Sequence, residues 1–194
     1  MENKIDIKRF LDCYKGTPRG RNSSVRFKDE NVRFDRAEKQ SKKPIVALDM
    51  IIKHVNDFLE ELGMERVDSP KYMVLREKIN YVEICAGLED KRDIVWLKFT
   101  TDKYLGVVAT SNDINFNIPK LKEEYSVKRK SRYMYNTSGI IIHHLNKEWD
   151  DSFVLVFPLK GMPPNYCRGD IERGIGNYLI EQGVPILDFY SHNY

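Results

Sequence analysis

The chain has 194 residues, of which 41% are hydrophobic and 31% charged, and a formal net charge of +3. A chain of this length buries roughly 70% of its unfolded surface, so it needs neither metal nor disulfide to fold. No apolar run approaches the roughly 20 residues of a membrane span, "MENKIDIKRFLDCYKG" lacks a signal-peptide core, and Cys13, Cys85 and Cys167 show no CxxC spacing, so the expectation is a soluble, cytoplasmic protein without structural zinc.

The charge is unevenly placed. Residues 1–43 hold 13 Lys/Arg against 7 Asp/Glu, a net of +6, whereas residues 44–194 hold 19 against 22, a net of −3. A basic arm on a neutral-to-acidic body points to nucleic acid or another polyanion.

In chain order, residues 1–13 read as a short amphipathic helix, with Ile5, Ile7, Phe10 and Leu11 apolar. From Lys15 to Lys43 the breakers and scattered apolar residues predict an irregular arm, docked through Phe27 and Phe34. Pro44 opens a helix whose stripe is Ile45, Leu48, Ile52, Val55, Leu59 and Leu62, closed by Gly63. Residues 70–87 are ambiguous, with Tyr81–Cys85 as strand material. Ile94–Thr100 and Tyr104–Ser111 predict a β-hairpin about "TDK". "YMYNTSGIIIHHL" (133–145) reads as a strand, "NKEWDD" as a turn and "SFVLVFPL" (152–159) as a buried strand. Asp170 N-caps a helix over 171–182 that Gly183 ends, and Gly174 and Gly176 let that helix approach another backbone closely. An extended "VPILDFY" follows, with Tyr190, His192 and Tyr194 on one face. Short connections favour antiparallel pairing. The fold expected is α+β, an antiparallel sheet of about four to five strands covered by two main helices. Residues 1–43 form the arm and 44–194 a single domain.

Candidate chemistry falls into two groups. The basic set is Arg19, Arg21, Arg26, Lys28, Arg33 and Arg36 in the arm, and Lys128, Arg129, Lys130 and Arg132 with Tyr133 in "VKRKSRYMY". Basic residues interleaved with aromatics suit phosphate contact plus base stacking. The titratable set is His143, His144, Glu83, Asp93 and Lys98. On a strand His143 and His144 face opposite sides, so one at most serves a given site. Glu83, Asp93 and Lys98 resemble the acid-then-acid-x-Lys arrangement of restriction-type nucleases, which implies Mg²⁺, yet Trp96 stands two residues before Lys98 where an acid belongs. No GxSxG elbow or phosphate loop is present: after Gly174 and Gly176, Leu179 occupies the place of the third glycine.

The reading is a nucleic-acid- or nucleoprotein-binding module without intrinsic catalysis or cofactor. Alternatives are a protein-interaction inhibitor or regulator of a nucleic-acid-handling partner, and a divalent-metal-dependent nuclease.

Overall fold

The computed structural model describes residues 30–68, 70–72, 88, 93–110 and 139–188. It is an α+β fold. Helices α1 (Glu30–Ser41) and α2 (Leu48–Glu61) come first, followed by strands β1 (Lys71–Tyr72), β2 (Ile94–Thr100) and β3 (Leu105–Thr110). Helix α3 (Gly139–His144), strand β4 (Trp149–Pro158) and helix α4 (Arg168–Glu181) complete the order. The strands form one sheet in the order β1-β4-β2-β3, every pair antiparallel. No helix among the described residues is long and apolar enough to cross a membrane.

The predicted hairpin is present. Lys103 takes the left-handed conformation (φ 72°) and its N–H donates to the Thr100 carbonyl at 2.9 Å, which helps turn β2 into β3 across the four residues 101–104. Strand β2 is buried at all seven positions, as a strand covered on both faces must be. Val95, Leu97 and Phe99 join the main core with Leu155 and Phe157 of β4. Ile51, Val55, Phe58 and Leu59 of α2 and Ile171, Ile175, Tyr178 and Leu179 of α4 close that core. Each of these fully buried side chains contributes about 1.5–3 kcal/mol of transfer free energy. Gly174 and Gly176 are buried on α4, which packs against α2, β2 and β3.

Several expected elements are corrected. Helix α2 begins at Leu48, not at Pro44, because residues 44–47 are not helical and Ala47 is extended (φ −61°, ψ 147°). The buried stripe is consequently Ile51, Val55, Phe58 and Leu59, and Ile45 is left outside. Gly63 ends the helix in the left-handed region as expected (φ 76°), with the Met64 N–H donating to the Leu59 carbonyl. The N-cap of α4 is Cys167; Asp170 is its third helical residue and accepts the Cys167 N–H at 2.9 Å.

Part of the arm is a helix. Residues 30–41 are rich in strong helix formers, and Ala37 and Phe34 give α1 an apolar side that an irregular reading overlooked. Residues 139–144 are helical, not a strand. Their β-branched run favours extension locally, but Ile141 and Ile142 are buried with Ala37 and Leu187 in a second, smaller core. Asn146 ends α3 in the left-handed region (φ 54°), and the Lys147 N–H donates to the Ile142 carbonyl. After α4, Ile186 makes a parallel bridge to Leu105, and the N–H groups of Leu187 and Asp188 donate to the carbonyls of Leu105 and Gly106. The expected helix at 1–13, the strand at 81–85, Phe27 and the face formed by Tyr190, His192 and Tyr194 lie outside the described residues.

Candidate functional site

The described part of the basic segment meets the body at one seam. Phe34 of α1 stacks on the His144 ring of α3, centroids 4.2 Å apart and planes 16° from parallel. His144 Nε2 lies 2.9 Å from Glu38 Oε1. At the other end of α1 the Tyr104 hydroxyl donates to the Ser41 carbonyl at 2.8 Å and lies 3.0 Å from that of Lys43. The Lys147 ammonium sits over the Tyr104 ring, 4.2 Å from its centroid, and pairs with Asp102. The Thr100 hydroxyl donates to Asp102 at 2.6 Å. Partial burial alone would raise the Asp102 carboxyl, but the hydrogen bonds from Lys147 and Thr100 hold it below its ordinary value.

Three acids at this seam therefore have a cationic or ionisable partner: Glu38 has His144, Asp102 has Lys147, and Asp150 has Lys103 at 3.4 Å. Lys39, Lys42 and Lys43, at the end of α1 and just beyond it, are exposed and make no ion pair among the described residues. Asp35 is exposed a turn earlier.

A second polar feature lies inside the sheet. Lys98 is only 1% exposed, and its ammonium lies 4.9 Å from the centroid of the Trp149 ring. Both neighbours of β2 lose register here. On β3, Gly106 is an extra residue between the partners of Lys98 and Phe99. On β4, Lys98 pairs with Val154 and Thr100 with Trp149, so two steps along β2 are matched by five along β4. Such irregularities re-aim side chains.

The candidate residues fare differently. Asp93 is buried just before β2, five residues from Lys98 and on the opposite alternation, about 16 Å away along an extended chain. The structure does not bring these two together. Glu83 lies outside the described residues, as do Arg19, Arg21, Arg26, Lys28, Lys128, Arg129, Lys130, Arg132 and Tyr133. Arg33 and Arg36 are on α1, where Arg36 is half-buried. His143 and His144 are consecutive on α3, so a helical step separates them and not opposite strand faces. Among the described residues no group of three or more His, Cys, Asp or Glu could hold a metal ion.

Tyr104, Asp102 and Lys147 were not anticipated from the sequence; the hairpin loop gave the position of two of them, but nothing local points to the pairing with residue 147. Comparison with family models, with curated proteins and with solved structures returned no match.

Proposed function

We propose that the protein is a nucleic-acid- or nucleoprotein-binding module without intrinsic catalysis, which engages its ligand through the basic segment that α1 closes. One observation supports this above the others. The acids Glu38, Asp102 and Asp150 are occupied by groups of the body, while Lys39, Lys42 and Lys43 face solvent without an ion pair among the described residues. No described residue of the body pairs with these three lysines, which supports a role for their charge in phosphate contact. The net of +6 over residues 1–43 extends the same sign along the chain.

The test is affinity for duplex DNA and for RNA as a function of salt. About six phosphate contacts give a log–log slope near −5 on duplex DNA, and replacing Lys39, Lys42 and Lys43 together by Gln lowers its magnitude by about 2.7. Failure to bind any nucleic acid at low salt overturns the reading.

A further inference from the structure

The two large apolar side chains that the described residues leave exposed are Ile45, at 47%, and Met50, at 42%. Ile45 follows Lys42 and Lys43 within three residues, Met50 lies seven beyond Lys43, and all four are exposed. In the link between α1 and α2, residues 42–45 and Ala47 are exposed, while Val46 and Leu48 pack against the main core. Its start is pinned by the Tyr104 hydroxyl on the Ser41 and Lys43 carbonyls. Ile45 is therefore presented to solvent from a backbone anchored on both sides. Burying Val46 and Leu48 does not by itself require a large apolar residue at 45.

We propose that Ile45, three residues before α2, together with Met50 on the first turn of α2, supplies an apolar wedge that enters a base step of duplex DNA. This rests on the nucleic-acid reading above and deepens it. Charge complementarity selects the occupant: the exposed Lys42 and Lys43 precede Ile45 by three and two residues and suit the flanking phosphates, and isoleucine, methionine and proline are the residue types that unstack a base step from the minor groove. A wedge has to be rigid to do this, and the Tyr104 and Val46 anchors make it so. Asp49, also exposed, has an oxygen 2.9 Å from the Met50 N–H, a hydrogen bond that ties this acid to the start of α2.

The experiment uses the full chain and a duplex of about 30 base pairs with a fluorophore at each end; smooth bending over such a length is stiff, so a local kink of roughly 20–90° is readily resolved. The wild type is expected to bring the ends together on binding. The Ile45→Ala, Met50→Ala double variant is expected to keep the salt slope and the unfolding midpoint, because both side chains are exposed, but to leave the duplex straight. Duplex binding without a kink, or a kink that the double variant reproduces, overturns the wedge and leaves the nucleic-acid reading intact. Binding confined to single strands does the same. If wild type dimerises in sedimentation and the double variant does not, the patch belongs to a second copy and the wedge is again overturned. Absence of all nucleic-acid binding removes both proposals.

Discussion

Trp149 lies directly on Gly106: a β-carbon built at residue 106 would stand 2.3 Å from Trp149 Cζ3 and 2.7 Å from Cη2. Those atoms belong to a rigid indole whose neighbourhood includes the buried Lys98 ammonium. The ring has little freedom to retreat, so Gly106→Ala is expected to destabilise the fold by about 1–3 kcal/mol through overpacking. Urea unfolding checks this, with a lowered midpoint and an unchanged m-value as the expected result. The same substitution made together with Trp149→Leu, where the indole is gone, should cost less than the sum of the two single changes.

The docking of α1 rests on two separable contacts. Tyr104→Phe removes a hydroxyl whose carbonyl partners are near the surface, so it is expected to cost about 1 kcal/mol. Phe34→Ala removes the ring stacked on His144 and part of the smaller core. Its effect should be local. Amide exchange should quicken over residues 34–41, and β2 and β4 should keep their protection, since their side chains belong largely to the other core. Equal acceleration throughout the sheet would contradict an independently docked helix.

Acid sensitivity should have two windows. Burial lowers the His54 imidazole below its ordinary value of 6.5; the nearby Asp57 opposes this and Lys53 adds to it. Its side chain is 14% exposed, Tyr178 meets it edge-on, and Nδ1 is 3.9 Å from Asp57. With the folded value below the unfolded one, the unfolded chain takes up the proton first. The contribution is complete above about pH 6.5 and is lost as pH falls from there toward the folded value. Asp102 is also lowered, so its contribution is present above about pH 3.8 and is lost only below it. Unfolding free energy measured from pH 8 to pH 3 should decline in both ranges. His54→Leu is expected to flatten the upper one alone.

The elements that were legible share a physical reason. The β2–β3 hairpin, the apolar part of β4 and α4 are each encoded by an uninterrupted local pattern, a buried apolar run, a short turn, or an apolar stripe ended by glycine, whereas β4 also takes in Trp149–Asp151 from the stretch read as a turn. The departures arise where distant residues decide. The "GIIIHH" run of α3 is helical because Ala37 and Leu187, remote in sequence, take up Ile141 and Ile142. Pro44 suits a first helical turn, yet the chain stays extended to Ala47, which moves Ile45 from the expected core to the surface. The seam was the least readable feature, because its contacts join Glu38 to His144 and Tyr104 to Ser41. Lys98 was singled out for its chemistry; that it is wholly enclosed beside Trp149 depends on a pairing between β2 and β4 that no local pattern announces.

The short parallel addition after α4 has a bearing on colloidal behaviour. The described sheet ends at β3, and a terminal strand offers unpaired backbone groups to any other chain. Here the carbonyls of Leu105 and Gly106 are already taken by Leu187 and Asp188. Peeling those residues away would leave the interior of the main core largely assembled while uncovering a template for intermolecular β-pairing. Damage at this point would therefore register first as concentration-dependent aggregation, ahead of any loss of native secondary structure.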